Sequence, residues 1–456
     1  MRSDPAPRHA VVVSSTTGRI VTADDQAGLR SRAAAIGSLT LVGGRFYIET
    51  LGCPKNQVDS DKLVGQLLAD GMSATDDAGA ADLVVVNTCA FVEEAREESV
   101  NTILALSDAR REGARLVVTG CLAERSGPEL AEAMPEIDAV AGFANSVAVT
   151  LGRKPGAPSI DLLHLPRPAS AVPWAYVKVA EGCDRACGFC AIPSFRGPQR
   201  SRTVDAILRE VDELGAAEIV LVAQDLAAFG RDQGVGERAI VPLVDAVAAR
   251  VARVRLLYLY PSDLTDGLVD AICRTGVPYF DLSLQHVSRP LLRRMRRWGD
   301  GDRFLARIDD IRAREPEAAF RSNFIVGYPG ETEADHDALL RFVEAADLDW
   351  CGFFSFSREE ATYAAGLDGA VPGPLVAERL AELRELQDGI TERKRDVQVG
   401  KRVEGLVDQP GTARSPREAP EIDGVIRVPN HLPVGSIQPL RITASLGIDL
   451  VAEVAR

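Results

Sequence analysis

Three cysteines within one short stretch, Cys183-Asp184-Arg185-Ala186-Cys187-Gly188-Phe189-Cys190, form the densest set of metal-binding groups in the chain. Cysteine thiolates are the standard ligands of iron–sulfur clusters. Three of them on one loop would satisfy three irons of a 4Fe-4S cluster and leave the fourth open to an exogenous group. Structural zinc, the alternative, wants a fourth ligand nearby, and no Cys or His lies within forty residues downstream of Cys190. A second triad is spread out: Cys53, Cys89 and Cys121 are separated by 36 and 32 residues. Each follows a short β-type run, Ile48 to Leu51, Val86 to Thr88 and Val118 to Gly120. The carboxyl ends of parallel strands line one edge of a sheet, where ligands bind. Such a triad suits a second cluster, and three buried core cysteines would give the same spacing. Cys273 and Cys351 stand alone and read as packing residues.

The elements that must position these cysteines follow from periodicity. Residues 45–152 alternate strand-like runs (Phe46 to Thr50, Leu83 to Val86, Leu116 to Thr119) with helical stretches, one carrying Val58, Leu63, Leu67 and Leu68. This predicts a parallel α/β sheet domain. A proline-rich stretch, 153–173, reads as a linker. Residues 174–395 hold six candidate strands: Ala175–Ala180, Glu218–Val222, Arg255–Tyr258, Phe280–Leu284, Phe320–Val326 and Trp350–Phe356. Helical stretches separate them, so a parallel sheet curling into a partial (β/α)6 barrel is expected. The Cys183–Cys190 loop follows the first strand, at the end where such barrels carry chemistry. Residues 396–456 change to short apolar alternations between Gly/Pro turns, predicting a small antiparallel β domain. Residues 1–44 lack an apolar signal region and read as a poorly ordered extension or an over-extended start.

Composition bounds the function. With 46% hydrophobic and 26% charged residues the 456-residue chain is of ordinary globular type. Its apolar runs are far shorter than the roughly 20 residues a membrane helix needs, so no membrane contact is expected. The net charge of −14 argues against generic binding to a phosphate backbone and favours solubility or a basic partner. Eight cysteines are too few for a disulfide scaffold, which points to a reducing, cytoplasmic setting.

From Arg45 onward the chain resembles the radical S-adenosylmethionine (SAM) methylthiotransferases. Cys183-x3-Cys187-x2-Cys190, with Phe189 before the last cysteine, is similar to the radical SAM signature, and the spread cysteines match the amino-terminal domain of that family. Leu51-Gly52-Cys53-Pro54-Lys55-Asn56 resembles the branch that modifies an aspartate of a ribosomal protein; enzymes acting on transfer RNA usually carry Gln-Met-Asn after that cysteine. Val177 to Gly182, Ile192 to Gly197, Phe280 to His286 and Ile325 to Thr332 extend the match. The resemblance implies two 4Fe-4S clusters, one on Cys183, Cys187 and Cys190 and one on Cys53, Cys89 and Cys121. It also implies SAM as methyl donor and radical source, and a C-terminal TRAM-like β domain. SAM would lie near Phe189, with Gln224 and Asp225 presented to it. The reaction implied is methylthiolation of the β-carbon of an aspartate in the small-subunit ribosomal protein numbered twelve. The partners would be that protein or the assembled small subunit, and an electron donor such as flavodoxin or ferredoxin. Nucleic acid contact would be weak or indirect.

The alternatives are methylthiolation of adenosine in transfer RNA, which would need a basic β domain, and a non-catalytic iron–sulfur redox sensor. Two stretches depart from the family: Gln224-Asp225-Leu226-Ala227 lacks the usual paired threonines, and Glu360-Ala361-Thr362 replaces Glu-Gly-Thr. Asp225 reads equally as a turn or cap residue, and His286 more readily as a hydrogen-bonded structural histidine than as a proton-transfer group. Arg293 to Trp298 reads as a solvated basic helix face, with contact to an acidic substrate as the alternative.

Overall fold

The computed structural model describes residues 43–143, 161–234 and 239–455. Residues 1–42, most of the expected N-terminal extension, and 144–160, which include the first part of the expected linker, lie outside the described residues. Three units follow one another along the chain.

The first is a five-stranded parallel sheet: β1 (Arg45–Thr50), α1 (Pro54–Ala69), β2 (Ser73–Ala74), β3 (Leu83–Thr88), α2 (Glu93–Ala109), β4 (Arg115–Gly120), α3 (Cys121–Ala133) and β5 (Ala139–Ala141), in the order β2-β1-β3-β4-β5. Every residue of β3 is buried, as a central parallel strand covered on both faces requires. The sequence pattern reveals β1, β3 and β4. The edge strands β2 and β5 are two and three residues long, too short to show a period.

The second unit comprises β6 (Trp174–Lys178), β7 (Ala180–Glu181), α4 (Ile192–Arg196), β8 (Arg200–Ser201), α5 (Val204–Leu214), β9 (Glu218–Val222), α6 (Ile240–Ala248), β10 (Arg253–Leu256), α7 (Asp266–Arg274), β11 (Tyr279–Gln285), α8 (Arg289–Arg294), α9 (Gly301–Arg314), β12 (Ala319–Val326), α10 (Glu333–Ala346), β13 (Trp350–Ser355) and α11 (Gly373–Asp396). Parallel sheets β6-β9-β10 and β11-β12-β13 are joined by a parallel bridge between Leu259 and Leu282, so six parallel strands follow in chain order as a partial barrel. Helix ends carry their own signals. Thr203 caps α5 through Ala206 N–H and Gly215 ends it in the left-handed region, while Thr332 and Asp335 form a capping box at α10. The first strand is shorter than its apolar run. Pairing stops at Lys178, and Ala180–Glu181 turns to pair antiparallel with β8, which starts the cysteine loop.

The third unit is a closed barrel of β14 (Arg402–Gln409), β15 (Thr412–Arg414), β16 (Ile426–Arg427), β17 (Ile437–Leu446) and β18 (Asp449–Val454). The expectation of a purely antiparallel domain is corrected at one place: β16 and β18 pair parallel. A ring of five strands cannot alternate direction at every junction, so closure forces one parallel pair.

The units pack as one body. Val58 of α1 is buried in a cluster with Trp174, Tyr176, Val220, Tyr279 and Trp350 of the central barrel and Ala419 of the third unit. The third unit docks on the amino ends of the barrel strands. Arg253 donates to the carbonyls of Arg414 and Glu404, Trp350 Nε1 to that of Arg417, and Tyr279 to Asp423. The opposite, carboxyl end is left to the cysteine loop. The described part of the proline-rich stretch is anchored too, because Lys62 donates to the carbonyls of Leu163 and Leu165 and Arg167 pairs with Asp61.

Candidate functional site

The Cys183–Cys190 loop leaves β7 through Gly182, whose φ is +80° and where a Cβ would meet the Pro198 carbonyl oxygen at 2.1 Å. Only glycine permits this closure, which is completed by Cys183 N–H on the Gly197 carbonyl at 3.1 Å. Arg185 then locks the loop onto the barrel. Its guanidinium binds Asp225 at 2.5 Å and also Asp263, and lies 3.9 Å over the Tyr260 ring. Asp225 is therefore a buried counter-charge to the loop, and it makes no side-chain cap to the turn that follows. Gln224 donates to Glu181 at 2.6 Å. Asp225 Oδ1 and Gln224 Oε1 remain buried without hydrogen-bond partners. Phe189 is half-buried against the barrel core.

In the Arg293–Trp298 run, Arg293, Arg294, Arg296 and Trp298 are exposed, as expected of a solvated face, but Arg297 departs from it. Arg296 has a positive φ of 54°, which turns the chain inward after α8. Arg297 is consequently buried: it donates to Cys187 Sγ at 3.3 Å and to the Ser283 carbonyl, and stacks 4.3 Å over Tyr260. The Met295 carbonyl accepts from Gly188 N–H. The basic run thus clamps the cysteine loop from its second side.

In the first unit, Cys53 precedes α1, Cys89 follows β3 and Cys121 opens α3, all at strand carboxyl ends. Gly52 (φ +97°) and Gly120 (φ +92°) make this convergence possible. A Cβ on Gly52 would lie 2.9 Å from the Cys89 sulfur, and one on Gly120 would lie 2.5 Å from the Thr88 carbonyl oxygen. Asn56 ties the loops together by donating to the carbonyls of Leu51 and Thr88. Burial pushes the Cys89 thiol up to about 12, assisted by Cys53 and Cys121. At Cys53 burial acts in the same direction, but Lys55, Arg196 and the amides of Asn56 and Lys55 outweigh it and hold the thiol below its ordinary value. In the loop triad, burial raises Cys183 to about 11 and Cys190 to about 12. Metal binding at such thiols must displace protons.

All eight cysteines are free. Among the described residues, no three His, Cys, Asp or Glu side chains converge closely enough to hold one metal ion. A single zinc needs that convergence, whereas a cluster gives each thiolate its own iron and spreads the sulfurs apart. The N–H groups aimed at sulfur also suit bound thiolate: Arg185 N–H at Cys183, Arg297 at Cys187 and Arg196 at Cys121. The residues present fit iron–sulfur clusters better than zinc.

Arg196 joins the two triads. It lies in α4, six residues past Cys190, and is buried. One nitrogen reaches Cys121 Sγ at 3.1 Å and Asn56 Oδ1 at 2.8 Å, and the other reaches Glu181 at 2.8 Å and Asp59 at 3.3 Å. Lys178 completes the network by pairing with Asp59 and with Glu181 at 2.6 Å. The sequence places this residue in the Ile192–Gly197 motif without assigning it a role; a charged side chain directly after the largely apolar Ile192–Phe195 segment is the available signal. Similarly, Glu359 of the barrel accepts from Arg96 and Arg125 of the first unit. His286 is neutral and structural: burial lowers it to about 4, and Nδ1 accepts from Ser288 N–H at 3.0 Å. Cys273 and Cys351 pack, partly buried, against the barrel core.

Comparison with known proteins agrees with this division. Residues 45–142 match the model of the uncharacterized protein family UPF0004, residues 177–343 the radical SAM superfamily, and residues 399–455 the TRAM domain. The protein named ribosomal protein uS12 methylthiotransferase RimO in Kineococcus radiotolerans is 40% identical, with 89% of this chain and 96% of that protein covered. Its namesake in Saccharopolyspora erythraea is 42% identical, with 89% and 94% covered. This chain belongs to the RimO family. Among solved structures, the radical SAM methyltransferase TsrM from Kitasatospora setae is similar in fold, with a TM-score of 0.52, 15% identity, and 70% of this chain and 75% of that one covered. Like other RimO family members, the chain is a radical SAM methylthiotransferase with a TRAM domain. No helix among the described residues is long and apolar enough to cross a membrane.

Proposed function

We propose that this enzyme methylthiolates the β-carbon of an aspartate in the small-subunit ribosomal protein uS12, acting in the cytoplasm. In this reading Cys183, Cys187 and Cys190 hold one 4Fe-4S cluster, Cys53, Cys89 and Cys121 hold a second, and Phe189, Gln224 and Asp225 line the SAM site. Residues 45–152, 174–395 and 396–456 act as the sulfur-transfer, radical and TRAM units. When bound, these groups supply one-electron and sulfur chemistry that amino-acid side chains lack, as an unactivated C–H bond requires.

The chain's own task is positional. Arg185 and Arg297 brace the loop triad against Asp225, Tyr260 and Ser283. Arg196 fixes the amino-terminal triad to the same barrel. The observation that carries the reading is this bond from Arg196 to Cys121: a residue of the radical loop region touches a sulfur of the other triad, so both lie at one interface. Apolar packing around Val58, next to Asp59, holds the first unit against the barrel. Membership of a family named for a ribosomal protein, with a net charge of −14, supports a basic protein substrate over transfer RNA. The electron donor, of flavodoxin or ferredoxin type, is part of the proposal.

The test is mass spectrometry of ribosomal proteins from cells with and without the gene. The expected result is a mass gain for SCH3 replacing H on one aspartate of uS12, lost with the gene. Modification of transfer RNA alone would overturn the assignment.

A further inference from the structure

The outer face of the segment that clamps the loop triad has no part in the chemistry above. Residues 289–303 hold six arginines against two acids, Asp300 and Asp302, in a chain whose net charge is −14. Arg297 is buried, whereas Arg289, Arg293, Arg294, Arg296 and Arg303 are exposed. Trp298, 43% exposed, lies among them, with the Arg303 guanidinium 5.7 Å from its ring centroid. Arg289 and Arg293 stand one turn apart on α8, so their side chains share a face. Arg303 pairs with Asp300 at 3.5 Å; among the described residues the other four exposed arginines make no ion pair. An acidic protein thus carries a basic patch with an aromatic residue in it.

The patch lies directly over the loop triad. Arg297, between Arg296 and Trp298 in the chain, turns inward to Cys187 Sγ at 3.3 Å. The Met295 carbonyl accepts the N–H of Gly188. The Arg296 guanidinium lies 3.9 Å over Tyr363, and the next residue, Ala364, donates its N–H to the Gly188 carbonyl. One run of chain therefore separates the patch from a sulfur of that triad. A basic ribosomal protein is repelled by exposed arginines, so the substrate docks elsewhere. An electron donor, by contrast, must approach the loop triad closely, because electron transfer falls off steeply with distance. Ribosomal RNA would also answer to arginines, but it has no need of a site over the loop triad.

We propose that Arg289, Arg293 and Arg296, around Trp298, form the docking surface for an acidic one-electron carrier that serves the loop triad. The inference rests on the functional reading above. Reductive cleavage of SAM takes up one electron and breaks the bond from sulfur to C5′, giving methionine and the 5′-deoxyadenosyl radical. The carrier is oxidised by that one electron. The arginines supply long-range attraction and the indole an apolar contact, as a transient interface requires.

The test uses the reconstituted holoenzyme, with an acidic flavodoxin and an acidic ferredoxin as probes. Each oxidised carrier is titrated at low and at physiological salt. Wild type is expected to bind at least one of them, and more weakly as salt rises. The double variant Arg289→Glu, Arg293→Glu should weaken that binding at least about tenfold, since like charges then face each other. Release of 5′-deoxyadenosine driven by the carrier should fall with it. Iron content, and release driven by dithionite, which needs no docking, should match wild type. Arg289→Lys with Arg293→Lys keeps the charge and should keep the binding. Should the glutamate variant lose iron, Arg289→Gln with Arg293→Gln carries the same test. Equal binding by wild type and the charge variants, or no binding of either carrier to wild type, overturns the inference. So does a fall in dithionite-driven release as large as that with the carrier. Unchanged carrier binding with weaker modification of assembled small subunits would assign the patch to ribosomal RNA and overturn it too. Failure of wild type to release 5′-deoxyadenosine even with dithionite would instead bring down the functional reading.

Discussion

Arg196 donates to the sulfur of Cys121 at 3.1 Å from a helix that begins two residues after Cys190. The same guanidinium reaches Glu181, two residues before Cys183. One side chain therefore sets the spacing of the two triads and places a cation beside one of their sulfurs.

A cation and an N–H donor at a thiolate favour the reduced state of the metal centre it ligates. Arg196→Lys keeps the charge but cannot serve sulfur, Asn56 and Glu181 together. It should lower the potential of one iron–sulfur centre only, with iron content unchanged, as read by a redox titration followed by electron paramagnetic resonance. Arg196→Gln leaves Glu181 and Asp59 short of a cation and should cost about 3–5 kcal/mol in denaturant unfolding.

Arg297 makes the matching contact at Cys187, 3.3 Å away. Arg297→Lys should shift the other centre and spare the one that responds to Arg196→Lys. If both variants move the same signal, the pairing of one arginine with each triad is wrong.

Separable triads imply separable half-reactions. Cys53→Ala should leave release of 5′-deoxyadenosine from SAM intact and abolish transfer of sulfur to uS12, both measured by liquid chromatography and mass spectrometry. Loss of both products would mean that the triads do not work independently.

Much of this arrangement is legible in the sequence, for physical reasons. Strand-terminal cysteines announce themselves because apolar runs mark parallel strands, and the carboxyl ends of those strands share an edge. The two arginines at sulfur are hidden. Arg297 sits in a basic run, and composition cannot tell which member turns inward; that depends on the left-handed backbone at Arg296. Arg196 and Lys55 lie in recognisable motifs, but the contacts that take them across the interface, with Cys121 and Tyr258, span at least 75 residues and form only when the units dock. Likewise the parallel pair in the C-terminal barrel follows from closure, a global property that no local pattern encodes.

The departure at Glu360-Ala361-Thr362 has a structural consequence. Ala361 has a φ of 61°, in the left-handed region that favours glycine. A Cβ there costs roughly 1–2 kcal/mol, partly offset by the extra freedom of glycine in the unfolded chain. Ala361→Gly should therefore stabilise the protein by about 1 kcal/mol, raising the midpoint of thermal unfolding. An unchanged or lower midpoint would show that the loop relieves the strain in solution.

Docking of the C-terminal barrel should depend on acid pH through Glu218. This carboxylate is fully buried between Arg255 at 2.8 Å and Arg414 at 3.1 Å, so it ties the barrel floor to the third unit. Burial works against its ionisation, but Arg414, Arg255 and Arg253 outweigh that and hold it at about 2. The unfolded value is near 4.3, so the folded state binds fewer protons. The stabilisation is complete above the unfolded value and is lost as pH falls toward 2, amounting to about 3 kcal/mol. Other buried carboxylates, such as Glu210, titrate in the same window, so the difference between wild type and Glu218→Gln is the quantity to measure. At pH 7 the variant should lose about 3–5 kcal/mol, because two buried guanidinium groups lose their shared anion. Between pH 5 and 3 its urea midpoint should fall less steeply than that of wild type; equal slopes would show that Glu218 is not the linked group.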